Sequence, residues 1–164
     1  MLPALSQGLV FFLPNMTWLQ PPGHVHAMIS QSWQPLNVNF SLSSSCPSSL
    51  NVSAGDVAVA ASHDGSSASV RIVNDGAAEL NVSVRLASSI VSEALLAGTE
   101  VVASVLKGSA CVRSASFPYV SEHTACANTP SQPNLFFPTP WKKVRANSLT
   151  VPAYSYAILK VNKY

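Results

Sequence analysis

The chain has 164 residues and a mass of 17.3 kDa; 48% of its residues are hydrophobic, 10% are charged, and its formal net charge is +2. This length suits one domain and excludes a complete (β/α)₈ barrel, which needs roughly 250 residues. The high share of apolar residues excludes a disordered chain. The Lys and Arg residues are scattered, which argues against a nucleic-acid partner. Pro, Asn and Ser interrupt every long uncharged stretch, which argues against a membrane partner.

The first predicted element is a short buried strand over residues 9–13, an apolar run bounded by Gly8 and Pro14. The segment 1–14 lacks a basic start and a small-residue cleavage site, so it is a poor signal peptide. If the parent protein is secreted, we therefore expect this chain to be the tail of a longer polypeptide.

A helix is predicted next, from about Pro22 to Trp33. Its apolar residues recur with helical spacing, and the later Pro35 ends the pattern. This places four side chains on one buried face: Val25, Met28, Ile29 and Trp33. Trp33 is thereby expected in the core.

From Leu36 onward, apolar and polar residues alternate with the period of a strand. The strands predicted after residues 36–42 cover residues 57–62, 67–74, 79–87, 100–106 and 155–161. The turn at residues 63–66 contains an Asp-Gly step, a strong hairpin signal. Residues 90–96 fit either a strand or a helical turn. Short alternating strands without a second long helix predict an antiparallel β-sandwich.

Residues 107–148 form an irregular segment in which prolines and aromatic residues are interleaved. A free loop of this length is uncommon in a compact domain. We expect the segment to wrap the sandwich or to bridge to a neighbouring domain. Its basic cluster, Lys142, Lys143 and Arg145 beside Trp141, is interpreted as a solvated loop face.

The sequence has four Asn-x-Ser/Thr motifs and three cysteines. The possible glycosylation sites are Asn15, Asn39, Asn51 and Asn81. Together with the many Ser and Thr residues they indicate an extracellular or secretory-pathway protein. Cys111 and Cys126 could close a short loop and leave Cys46 free, but three unlinked thiols fit equally well.

The sequence does not predict a catalytic or metal site. Glycoside hydrolysis needs two facing carboxylates, and the acidic residues fall at turns, strand starts and loops: Asp56, Asp64, Asp75, Glu79, Glu93, Glu100 and Glu122. His24 and His26 lie about 200° apart around a helix and cannot share an ion. His123 near Cys126 lacks a fold that would support a nucleophile, and no Gly-x-Ser-x-Gly motif occurs.

Aromatic side chains are the remaining candidates for ligand contact, because sugar rings stack their C–H faces on an indole. Trp18 lies in the turn before the helix, and Trp141 lies in the Pro-rich segment. Trp18 and Trp141 are therefore the predicted substrate-binding residues.

Four stretches resemble the α-L-arabinofuranosidases of glycoside hydrolase family 51. Residues 11–29 resemble the passage from the last barrel repeat into the final barrel helix, and residues 68–74 resemble a sandwich strand of that family. Residues 127–133 and 149–159 are similar to its closing loop and last strand. The resemblance implies a retaining hydrolase whose two glutamates lie on barrel strands, the general acid following an Asn. This sequence has no Asn-Glu step, so no catalytic residue is carried over.

The sequence therefore predicts a mainly β fold, an antiparallel β-sandwich preceded by a short strand and the last helix of an otherwise absent (β/α)₈ barrel. Residues 1–35 are interpreted as the barrel remnant and residues 36–164 as the C-terminal sandwich. The expected partners are the missing barrel and, through it, an arabinose-containing glycan; no cofactor or metal is implied.

Two alternatives stay open at this point. The chain could be a stand-alone extracellular carbohydrate-binding or adhesion sandwich, with Trp18 or Trp141 as the sugar platform. It could also be an incomplete gene product without an activity of its own. Exposure of the apolar helix face would favour a missing barrel.

Overall fold

The computed structural model describes residues 9–39, 57–84, 100–108, 128 and 130–162. These residues form ten strands and one helix. The strands are β1 (Val10–Leu13), β2 (Met16–Leu19), β3 (Leu36–Asn37), β4 (Val57–His63), β5 (Ser67–Asn74), β6 (Leu80–Val82), β7 (Glu100–Lys107), β8 (Lys142–Arg145), β9 (Leu149–Val151) and β10 (Ser155–Asn162). The helix, α1 (Pro21–Gln31), follows β2.

A six-stranded antiparallel sheet forms the centre of the fold. Its strand order is β3-β4-β5-β10-β7-β8, so the C-terminal strand β10 lies between β5 and β7. Successive side chains of a strand point to opposite faces, and β10 therefore supplies two apolar sets. Ala157, Leu159 and Val161 belong to the core on one face, and Ile158 belongs to the core on the other.

The larger core lies on the Leu159 face of this sheet. The small antiparallel pair β6–β9 contributes Leu149 and Val151 to it, opposite Val70 and Ile72 of β5. This is the sandwich-like part of the molecule, with a second layer of only two strands among the described residues. The mainly β, antiparallel fold predicted from the alternation is confirmed.

The helix α1 covers the opposite face of the sheet. Met28 of α1 packs with Leu106, Phe136 and Ile158 in a second core, and Val25 and Trp141 border it. The predicted wrapping of the irregular segment agrees with this position of Phe136. Since contacts of α1 with the sheet cross the predicted boundary at residue 35, the division into a barrel remnant and a sandwich stays a prediction.

The turn between β4 and β5 is fixed by the Asp64 side chain. Its Oδ1 accepts hydrogen bonds from the backbone N–H groups of Ser66 (2.8 Å) and Ser67 (2.7 Å) and from the Ser66 hydroxyl (2.9 Å). Gly65 has a φ of 88°, in the left-handed region that glycine adopts without strain. The predicted Asp-Gly hairpin is thus confirmed, and hydrogen bonds to Asp64 close its turn although the turn is exposed.

We expect Asp64 to titrate well below the ordinary value of about 3.9 for an aspartate. The backbone N–H groups of Ser66 and Ser67, followed by the Ser66 hydroxyl, stabilise the carboxylate and lower its pKa. Because the folded-state pKa is depressed, the resulting stability is present above the unfolded pKa and is lost as the pH falls through the folded pKa. An NMR titration of the carboxyl carbon tests this, and a Ser66→Ala variant should titrate at higher pH. A midpoint at the ordinary value in the wild-type chain would contradict the assignment.

Two expectations about the helix are corrected by the structure. The helix begins at Pro21 and ends at Gln31, where the Ser32 backbone N–H donates to the Ile29 carbonyl at 3.0 Å and its hydroxyl donates to the Met28 carbonyl at 2.9 Å. This closes the last turn before Trp33. The prediction that Trp33 is a core residue is therefore wrong: its side chain is 66% exposed.

The strand predictions hold for the long elements and miss three short ones, β2, β8 and β9. Strand β1 lies where it was predicted, but its side chains are mostly exposed, so the prediction of a buried strand is wrong. Strands β4, β5, β7 and β10 lie where they were predicted, and β6 covers part of its predicted range. Strand β8 falls inside the segment that was predicted to be irregular. The pattern did not indicate a strand there because Lys-Lys-Val-Arg has the charges of an edge strand and lacks apolar alternation. Residues 40–42, Ile90, Asn51 and all three cysteines lie outside the described residues.

Candidate functional site

Trp18 is an internal residue of the N-terminal hairpin. The indole is 8% exposed and stacks on Phe11 of β1 at a centroid distance of 5.9 Å. Its Nε1–H donates to the backbone carbonyl of Asn128 at 3.1 Å. Little of the ring is open to solvent, and the predicted sugar contact of Trp18 stays untested.

Asn128 hydrogen-bonds to the N-terminal hairpin, to Gln20 at the start of α1 and to Phe136. Its Nδ2 donates to the carbonyls of Leu19 (2.8 Å) and Phe136 (3.0 Å), and its Oδ1 accepts from the Phe136 backbone N–H at 2.7 Å. Gln20 bonds the Asn128 backbone with both ends of its amide: Nε2 donates to the carbonyl at 2.7 Å, and Oε1 accepts the N–H at 3.1 Å. We call Trp18, Gln20, Asn128 and Phe136 the asparagine hub.

The hub could not be recognised as a set from the sequence. Gln20 is the N-cap residue of α1, yet its side chain makes no cap hydrogen bond and serves Asn128 instead. Its partner lies 108 residues away along the chain. The only signal was that Asn128 falls within one of the stretches that resemble family 51 enzymes.

Trp141 lies at the other end of α1. Its Nε1–H donates to Gln31 Oε1 at 3.4 Å, and the Lys160 ammonium lies 4.5 Å from the centroid of its ring. Lys160 also donates to the backbone carbonyl of Gln31, at the C-terminal end of the helix dipole. Lys160 therefore contacts the ring of Trp141, and Gln31 bonds its nitrogen. The predicted sugar contact of Trp141 stays a prediction.

Several buried polar atoms on the helix side of the sheet have no hydrogen-bond partner. They include Arg71 Nε, Tyr156 Oη and His24 Nε2. Burial raises the pKa of the Tyr156 hydroxyl, partly offset by the positive charge of Arg71, and burial lowers the pKa of His24.

The two histidines of the helix are separated as the sequence predicted. His24 is buried and meets Phe137 edge-on at a centroid distance of 5.1 Å, whereas His26 is exposed. Across the described ranges, no group of three or more His, Cys, Asp or Glu side chains could hold a metal ion.

An exposed apolar surface lies on the N-terminal hairpin. We call it the hairpin surface, and it comprises Leu9, Val10, Phe12 and Leu13, of which Phe12 is 77% exposed. Gly23 fixes its position, because a Cβ there would lie 2.3 Å from the Leu9 carbonyl oxygen. Leu135 and Phe137, on either side of Phe136, are also exposed. Large exposed apolar patches mark contact surfaces in soluble proteins, which makes the hairpin surface a candidate contact surface.

Three acidic residues of the described ranges lie in turns or loops. Asp64 lies in the β4–β5 turn, and Asp75 and Glu79 lie between β5 and β6. All three are exposed. Asp64 is held in its turn by hydrogen bonds from Ser66 and Ser67.

Three of the four possible glycosylation sites lie in the described part of the chain. Asn15 is at the β1–β2 turn, Asn39 follows β3, and Asn81 lies on β6, and each is exposed. Their accessibility is compatible with modification. Within the described ranges, no helix has both the length and the apolar character needed to cross a membrane.

Comparisons with known proteins were made by sequence and by structure. No family model and no curated protein matches the sequence. Among solved structures, the chain is similar to a family 51 α-L-arabinofuranosidase from Bifidobacterium longum, with a TM-score of 0.51 and 16% sequence identity. The match covers 90% of this chain and 26% of that chain, so this chain spans about a quarter of the length of the solved structure. At this identity the likeness shows a shared fold.

Proposed function

We propose that the chain is the accessory sandwich portion of an α-L-arabinofuranosidase-like glycoside hydrolase. The observation that carries the proposal is the extent of the structural likeness, 90% of this chain, which leaves most of the larger enzyme unmatched. In the proposed role, a (β/α)₈ domain supplies the two catalytic glutamates and releases terminal arabinofuranosyl groups from arabinose-containing polysaccharides. This chain supports that domain and performs no chemistry.

The hairpin surface is the proposed contact with the catalytic domain. Phe12 and its neighbours expose apolar side chains at the N-terminal end of α1, while Phe11 on the same strand is used internally to stack on Trp18. Burial of apolar area against a partner yields about 25 cal/mol per Å². The asparagine hub then holds this hairpin in place relative to the sheet. A domain that docks on the hairpin is thereby attached to the whole sandwich.

We also propose that the protein enters the secretory pathway. The exposed Asn15, Asn39 and Asn81 support this, because an acceptor asparagine must be reachable on the surface. Of these, Asn15 lies beside the hairpin surface, so a glycan there would have to project away from the docked domain.

The proposal is tested by assaying the purified chain with an aryl α-L-arabinofuranoside. We expect no turnover above buffer, since in the proposed role the two catalytic glutamates lie on the (β/α)₈ domain. Turnover by the isolated, homogeneous chain would overturn the accessory role.

Docking is tested in a polypeptide that carries the catalytic barrel together with this chain. A Phe12→Asp variant should shorten the half-life of arabinofuranosidase activity at elevated temperature, because a charge would be buried at the contact. The matched control is Val73→Asp, at an exposed apolar position on β5. Equal half-lives for the two variants would show that the hairpin surface is not the contact.

A further inference from the structure

Of the three indoles in this chain, Trp33 is the one that the protein itself leaves open. Trp18 is enclosed by the hairpin and hydrogen-bonded to Asn128, and Trp141 is covered by Lys160 and bonded to Gln31. Trp33 is 66% exposed beyond the end of α1. A side chain with this exposed fraction presents a large apolar indole face to solvent, and this face can stack on a ligand.

The chain that follows Trp33 is attached to the β4–β5 turn. The next residue, Gln34, donates from Nε2 to the Ser67 hydroxyl at 2.5 Å, which attaches this part of the chain to the base of the β4–β5 turn. Leu36 of β3 pairs with His63, the residue at the start of that turn. We call Trp33, Gln34, His63 and Asp64 the Trp33 surface.

Hydrogen bonds within the turn hold the Asp64 carboxylate and the His63 ring. Asp64 Oδ1 accepts three hydrogen bonds, whereas Oδ2 accepts one, from the Ser67 hydroxyl at 3.0 Å. Oδ2 therefore keeps a lone pair for a hydroxyl donor. His63 Nδ1 accepts the Gly65 N–H at 3.2 Å, which orients the ring and leaves Nε2 for a ligand.

The Trp33 surface is separate from the proposed docking contact. The hairpin surface precedes α1 and Trp33 follows it, and a helix of 11 residues spans about 16 Å.

We propose that the Trp33 surface binds a neutral polysaccharide. The indole stacks on the apolar C–H face of a sugar ring, and Asp64 and His63 hydrogen-bond to its hydroxyl groups. The carboxylate of Asp64 disfavours an acidic glycan, which selects the neutral class. The inference rests on the carbohydrate context of the proposed function and adds a binding site outside the catalytic domain.

The test is affinity electrophoresis of the full chain in native gels that contain a soluble neutral arabinoxylan. We expect the wild-type chain to be retarded, and Trp33→Ala to bind about tenfold more weakly because it loses the stacking face. Phe12→Ala is the matched control: it removes an exposed aromatic side chain on β1, outside the Trp33 surface, and should be retarded like the wild type. Thermal melts of each variant verify folding.

Two results would overturn the inference. One is a wild-type chain that migrates without retardation in arabinoxylan; the other is a folded Trp33→Ala variant retarded as strongly as the wild type. Neither result bears on the accessory role, which is tested by the activity of the chain and by the Phe12→Asp variant. Retardation of all three proteins to the same degree would place the binding elsewhere and equally reject the Trp33 surface.

Discussion

Replacing Ile158 with alanine is expected to lower the free energy of unfolding by about 4 kcal/mol, the upper part of the range for a buried Ile→Ala change. Ile158 is 0% exposed on the central strand β10, and its side chain forms the second core with Met28, Leu106 and Phe136. The substitution leaves a cavity between α1 and the sheet that these neighbours cannot fill without moving. Equilibrium denaturation in urea measures the loss.

The control for this change is Val73→Ala on the neighbouring strand β5, whose side chain is exposed, and it should cost less than about 0.5 kcal/mol. If Ile158→Ala does not fold, Ile158→Val provides a milder cavity with an expected cost of about 1 kcal/mol. A double-mutant cycle with Met28→Ala should give a coupling of at least about 0.5 kcal/mol, since the two side chains share one core. Strict additivity would contradict the packing of α1 on the sheet.

Replacing Asn128 with aspartate is expected to destabilise the chain by about 3 kcal/mol. Asn128 is 2% exposed, and its Nδ2 donates to the carbonyls of Leu19 and Phe136. Aspartate has nearly the same shape but no donor there, so it would place a carboxylate against two carbonyl oxygens. The acceptor role of Oδ1 toward the Phe136 N–H is retained, so the effect arises at the Nδ2 position, where donors are lost and a charge is gained.

The exposed Asn134→Asp variant is the matched control for the same chemical change. We expect it to unfold at the wild-type denaturant midpoint. For Asn128→Asp, the midpoint should recover partly at low pH, where the protonated carboxyl regains a donor. A stability loss equal to that of the control would show that the asparagine hub does not hold the hairpin to the sandwich.

The long strands and the helix could be predicted because each follows from a local pattern. The Asp-Gly step marked the β4–β5 turn, and the apolar residues of β10 marked a strand. The structure adds that β10 is buried on both faces. Met28 and Val25 were placed on the buried side of α1 by helical spacing alone. The resemblance to family 51 enzymes agrees with the structural likeness at the level of the fold.

The features that the sequence did not predict depend on contacts between distant residues or on the exact end of an element. Trp33 continues the helical spacing of Met28 and Ile29, but Ser32 closes the last turn one residue before it. Gln20 and Asn128 are ordinary polar residues of turns until the fold brings them together across the chain. Strand β8 is formed by pairing with β7 rather than by its own propensity.

The accessory role is tested most directly by isolating the natural polypeptide that contains residues 68–74 and measuring its mass and its activity. The proposal predicts a polypeptide several times larger than 17.3 kDa, which releases arabinose from an aryl α-L-arabinofuranoside. A mature protein of about 17 kDa without such activity, found alone in the source, would contradict it.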